Sequence, residues 1–173
     1  MRLSLVLRAL PLAAACALPA CGGGNNPADF APPPGSLLSV TAALPQAHEG
    51  ALALDAATAS NEHRAADPFS AEPYCLLRFV GARHPNGTRY DLALAFRTAD
   101  RRVLAFTITR QRGDDPWWVG AFDPPAAEAG VDLPTRTVEL RRLRSTQGAM
   151  VDMRATFEGT LRFPANPAQP ACG

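Results

Sequence analysis

The side chains that could do chemistry are few and scattered. His48, His63 and His84 are the three histidines. None has a second histidine four positions away, the spacing that puts two imidazoles on one helix face for a metal. Each falls in a turn or loop stretch, so three surface histidines are expected, with no metal site and no cofactor. Asp114 and Asp115 are adjacent carboxylates, the raw material of a cation site or an acid–base pair. Gly113 and Pro116 flank them, however, and a solvated turn is the simpler reading. The chain shows no Gly-x-Ser-x-Gly elbow and no phosphate-cradling glycine loop after the glycine run at 22–24. No catalytic residue is therefore assigned.

Two features favour binding over catalysis. Trp117 and Trp118 are neighbours, and neighbours on a strand face opposite ways. One is expected in the core and the other outside or in a barrel mouth, where a flat ring stacks on a sugar or seats a partner. Arg141, Arg142 and Arg144 put three guanidinium groups at the end of a strand. They read either as a solvated edge that discourages strand pairing or as a contact for phosphates.

The N-terminus decides where these residues operate. Arg2 and Arg8 precede an uncharged run, Ala9 to Leu18, that is mostly Ala and Leu. A positive flank, a short apolar stretch and small residues at its end make an export signal. The run is too short for a membrane span, which needs roughly 20 apolar residues. Leu18-Pro19-Ala20-Cys21 follows, then Gly22-Gly23-Gly24.

That junction resembles the lipobox of bacterial lipoproteins. Leu18, Ala20 and Cys21 match the pattern, and Pro19 stands where the family usually has a small residue. Cys16 is a second candidate that lacks the leucine. The resemblance covers residues 1 to about 24 and does not reach the domain. It implies that the leader is removed, that Cys21 is lipidated on its sulfur and amine, and that the protein is held on a membrane through its N-terminal lipid. Gly22 in place of an Asp after the Cys implies the outer membrane, on its periplasmic or outer face.

In such a compartment disulfides persist. With Cys16 lost and Cys21 lipidated, Cys75 and Cys172 remain. Their pairing closes a loop of nearly a hundred residues, worth roughly 4–5 kcal/mol on the chain-entropy model, and pins the tail from Pro164 to Gly173. Free thiols or a catalytic Cys are the alternative, but no motif places a base beside either one.

All 17 basic residues are Arg, against 16 acids. Losing Arg2 and Arg8 with the leader leaves 15 Arg and a net charge of −1. Nucleic-acid binding calls for a basic excess and is disfavoured. Three segments follow: a leader, 1–20; the lipidated Cys and a Gly/Pro tether, 21–35; and a single β-rich domain, 36–173.

Within that domain the patterning is mostly of period two. Leu38, Val40, Ala42 and Leu44 share one face of a first strand, and Gly50 to Leu54 gives a second. Asp55 to Asp67 is polar and Ala-rich, a loop or a short helix capped by Asp55. From Tyr74 to Phe122 four strands follow in a meander, the first two joined by a turn containing Asn86-Gly87, a strong hairpin signal. Asp123 to Pro134 reads as a loop and Thr135 to Leu143 as a strand. Val151 to Phe163 alternates without a break, with Val151, Met153, Ala155, Phe157, Leu161 and Phe163 on one face and Gly159 marking a bulge or bend.

The fold expected is all-β, an antiparallel sandwich of about eight strands, with a small closed barrel as the alternative. The function expected is that of a non-catalytic, lipid-anchored outer-membrane protein, a binding or structural module with an envelope protein or glycan as partner. A barrel carrying a small apolar ligand is the alternative, and it predicts a cavity lined by Leu and Phe. A periplasmic hydrolase built from separated Asp, His and Ser residues is a third reading.

Overall fold

Period-two alternation, interrupted at defined points, builds the sheet. The computed structural model describes residues 37–112 and 116–173. The leader, Cys21, the tether and the Asp114–Asp115 pair lie outside the described residues. The protein is all-β and antiparallel. Its strands are β1 (Leu37–Leu44), β2 (Gly50–Ala53), β3 (Ala59–Arg64), β4 (Tyr74–Arg83), β5 (Arg89–Arg97), β6 (Val103–Arg110), β7 (Trp118–Phe122), β8 (Ala129–Asp132), β9 (Thr137–Arg144), β10 (Gln147–Gly148) and β11 (Arg154–Arg162). They form one sheet in the order β10-β7-β6-β5-β4-β2-β1-β11-β9-β8, with β3 paired to β4 beside β2.

Eleven strands stand where about eight were expected, and the three additions are short or polar. β3 (ASNEHR) has no apolar face and lies in the stretch read as loop or helix. Six backbone pairs with β4 hold it, from Ala59 opposite Phe79 to Arg64 opposite Tyr74. Just before it, Asp55 does cap a single 3-10 turn, accepting from the Ala57 amide at 2.9 Å. β8 lies in the segment read as a loop and pairs with β9. β10 is two residues within a turn.

Bulges bend this sheet into a half-barrel, because an extra residue in one strand sharpens its twist. In β1 the register slips between Thr41 and Leu44, with Ala42 at φ 49°. The slip corrects the expected face: Ala43 is buried, while Ala42 and Leu44 are exposed. In β4 the slip falls between Phe79 and Ala82, with Gly81 at φ 74°. In β9, Leu140 and Leu143 both face inward because Arg142, at φ 56°, takes up the extra residue opposite β11. Gly159, at φ 151°, sits on the facing strand at this register slip, whose extra residue lies on β9 and not on β11 where a bulge or bend was expected. Val151 does not join the inward face: the chain turns there, it is exposed, and β11 begins at Arg154.

The curl brings the far parts of the sheet together. Phe106 of β6 meets Phe157 of β11 edge to face, ring centroids 4.9 Å apart. At one corner Ser145 donates its amide to Ala155 of β11, and Thr146 donates to Gly120 of β7. Two consecutive residues thus link opposite ends of the strand order. One buried cluster, with members from β1, β2, β4–β9 and β11, fills the interior.

The register also defines two ends. Leu37 lies opposite Thr160, near the close of β11, and Leu44 lies opposite Arg154, at its start. The chain therefore enters at the end that carries the tail after β11. The other end, here called distal, gathers the 3-10 turn Gln46–His48, the β4–β5 turn and the start of β7. His84 Nε2 is 2.7 Å from the Glu49 carbonyl, Asn86 Nδ2 is 3.4 Å from that of Ala47, and Trp117 Nε1 donates to that of Leu44 at 3.3 Å.

Candidate functional site

Cys75 and Cys172 are joined by a disulfide, their Cα atoms 5.6 Å apart. Cys75 opens β4, and Cys172 ends the tail in a 3-10 turn. Asn61 of β3 reinforces the junction, its Nδ2 donating to the carbonyls of Cys172 at 2.8 Å and Pro164 at 3.3 Å. Asn166 Nδ2 returns a bond to the Asn61 carbonyl at 2.8 Å.

The tryptophans sit in different surroundings. Trp117 is 1% exposed and packs inward, whereas Trp118 is half-buried opposite Thr109 on the outer face of β7. Of the two, only Trp118 could offer a ring to a partner. Arg141, Arg142 and Arg144 are exposed on β9, but β9 is not an edge strand. It pairs with β11 on one side and β8 on the other; beyond that pairing the Arg141 amide bonds the Glu128 carbonyl at 2.8 Å. Arg141 also forms an ion pair with Glu139. The β8 ladder ends at Leu140, so Arg142 and Arg144 lie past the paired stretch on that side of β9.

The histidines depart furthest from expectation. His48 is 7% exposed. Its ring stacks on Trp117, and its Nδ1 is 2.8 Å from the Tyr90 hydroxyl. His84 approaches Tyr90 edge-on, and Tyr90 packs edge-on against Trp117. Four rings from the turn after β1, the β4–β5 turn, β5 and the start of β7 thus converge at the distal end. His48 and His84, 36 positions apart in sequence, flank one phenol.

The chemistry of this cluster is limited by its burial. Desolvation first, then electrostatic repulsion from Arg110 and His84, lower the His48 pKa below its ordinary 6.5. Burial raises the Tyr90 hydroxyl above its ordinary 10.0, with Arg110 opposing. A base weakened and an acid weakened beside each other make proton transfer from phenol to imidazole uphill, which suits a packed neutral pair.

Arg110 links the cluster to the surface. It lies directly opposite Tyr90 across the β5–β6 ladder, so its side chain starts from the inward face. Its Nε is buried and has no hydrogen-bond partner among the described residues. The outer part of the side chain lines a cleft of about 650 Å³ between the β4–β5 turn and the end of β6. Arg89 and Arg112 line the same cleft, with Asn86, Thr88 and Gln111. Sequence reading missed this group. Arg89 and Arg112 are 23 positions apart, and only the pairing of β5 with β6 brings them to one place.

Among the described residues no group of three His, Cys, Asp or Glu side chains is arranged to hold a metal. No helix among them is long and apolar enough to cross a membrane. Protein-family models, curated proteins and solved structures all returned no match to this chain.

Proposed function

We propose that the protein is an exported lipoprotein without catalytic activity, anchored through Cys21 at the outer membrane and serving there as a binding module. The Cys75–Cys172 disulfide carries this reading, because such a cross-link persists in oxidising compartments and is rare in the cytosol. The export signal and lipobox at 1–21 agree with it. The interior is bridged by Phe106 and Phe157, which favours a ligand on the outside over an apolar cargo within. The distal end, opposite the entry of the chain, supports a domain that presents its binding surface away from its anchor.

The test is intact-mass analysis and membrane fractionation of the native protein and a Cys21→Ser variant. The expected native mass lacks residues 1–20 and carries acyl chains, and Cys21→Ser leaves the membrane fraction. A native chain with its leader attached and both thiols reduced overturns the reading.

A further inference from the structure

We infer that the distal cleft lined by Arg89, Arg110 and Arg112 is a binding site for a phosphoryl-bearing ligand. The inference rests on the proposed role as an exterior binding module and supplies its ligand class.

The first argument is charge. The arginines in ion pairs among the described residues are Arg64, Arg97, Arg102 and Arg141. The three that line the cleft take part in none of these pairs. Asp91 forms no ion pair with them; its Oδ1 accepts from the Gly81 amide at 2.9 Å and from Gln111 Nε2 at 2.7 Å. Gathering three guanidinium groups with no acid among the described lining residues is unfavourable unless an anion joins them.

The second argument is desolvation. Arg110 Nε is a donor removed from water and left without a partner among the described residues. Such a group costs about 1–3 kcal/mol, a cost recovered when an acceptor reaches it. Arg110 starts from the inward face, opposite Tyr90 across the ladder, and is half-buried. A guanidinium presents a planar fork to paired oxygens, and a half-buried one meets them partly out of water.

The third argument is size and shape. The cleft, about 650 Å³, exceeds what a lone small anion needs and has polar walls in Asn86, Thr88 and Gln111. Three guanidinium groups ask for more oxygens and more charge than one carboxylate brings. A phosphate ester or a chain of phosphoryl groups brings both. The ligand can come from a lipid headgroup or from a soluble or polymeric phosphate. The position opposite the chain entry favours the second source, because the proposed anchor precedes Leu37 and would join the domain at its other end.

Asp114 and Asp115 follow Arg112 within three positions in the sequence, so competition from their carboxylates is tested directly. The experiment includes them. The full chain in nonionic detergent is titrated with pyrophosphate by calorimetry, and the Cys21→Ser protein is floated with vesicles of phosphatidylglycerol in phosphatidylcholine. We expect saturable pyrophosphate binding that weakens with added salt, and no more than weak vesicle binding. Arg110→Gln and the double variant Arg89→Gln/Arg112→Gln each weaken it about tenfold or more. Arg110→Lys, which keeps the charge but loses the fork, falls between. The triple variant Arg141→Gln/Arg142→Gln/Arg144→Gln stays within about twofold. If Arg110→Gln does not fold, the Arg89/Arg112 double variant decides.

No saturable binding up to about 5 mM pyrophosphate, together with no vesicle binding that depends on the cleft arginines, overturns the inference. So does binding that survives loss of all three cleft arginines, or binding that appears only in Asp114→Asn/Asp115→Asn, since the acids then already fill the site. Vesicle binding that depends on the cleft arginines, without pyrophosphate binding, overturns the soluble source. Acylation of Cys21, read on the same preparation by mass, reports separately on the anchored role. An unacylated protein that binds pyrophosphate refutes the anchor alone, and an acylated one that does not bind refutes the cleft alone.

Discussion

The imidazole of His48 lies flat on the indole of Trp117, ring centroids 4.1 Å apart and planes 13° from parallel. The pair closes the distal end of the sheet, and its chemistry sets how that end responds to acid. Burial, then Arg110 and His84, hold the His48 pKa below 6.5. With the folded value below the unfolded one, the unfolded chain binds the proton first as pH falls. Stability therefore declines from about pH 6.5 down to the folded pKa and is level, on this account, below it. Thermal melts between about pH 7.5 and about pH 5 should show a falling Tm that His48→Gln makes shallower. Equal slopes in the two proteins would show that His48 is not the group responsible.

Trp117 and Trp118 differ by one position and should differ sharply in consequence. Trp117→Ala removes a buried indole and the donor to the Leu44 carbonyl. It should cost about 3–5 kcal/mol in urea unfolding. Trp118→Ala, on the half-buried outer face, should cost less than about 1.5 kcal/mol. A partner whose affinity drops with Trp118→Ala at unchanged stability would give that ring a binding role.

Gly159 carries a steric requirement that Gly87 does not. A Cβ at Gly159 would lie 2.1 Å from the Leu37 carbonyl oxygen, at φ 151°, so β1 and β11 would have to part. Gly159→Ala should destabilise by more than about 3 kcal/mol. Gly87, at φ 86° in the β4–β5 turn, has open space around it. Gly87→Ala should cost only about 1–2 kcal/mol of left-handed backbone strain. Denaturant midpoints of the two variants test the contrast.

The Cys75–Cys172 cross-link spans 97 positions. Cys75→Ala/Cys172→Ala should lose roughly 4–5 kcal/mol on the chain-entropy model. The tail should then become the first segment to exchange its amide hydrogens, because Cys172, Asn166 and Asn61 are bound to one another. Unchanged tail protection would mean that the asparagine contacts suffice alone.

What the sequence made legible follows from where the physics is local. β4, β5, β6 and β11 each bury one face, so alternation announced them, and Gly87 and Gly159 marked a turn and the register slip with β9. β3 was illegible because its residues are polar on both sides and its support is backbone pairing to β4 and asparagine bonds from the tail. In β1 the alternation itself misled, since Ala42 takes a left-handed conformation that moves Ala43 to the core. Both tryptophans were noticed as neighbours. The arginine cleft and the His48–Tyr90 contact were not, because each joins residues that only the strand register brings together.

The free rims of the sheet are short or covered. β8 and β10, at its two ends, have four residues and two. β3 is longer, and it is the tail, fastened through Cys172 to β4, whose asparagine bonds occupy its flank. A rim that is short or partly covered gives another molecule little to zip onto. Reducing the cystine would free the tail from Asn61 and leave the six residues of β3 more open to strand addition by another chain.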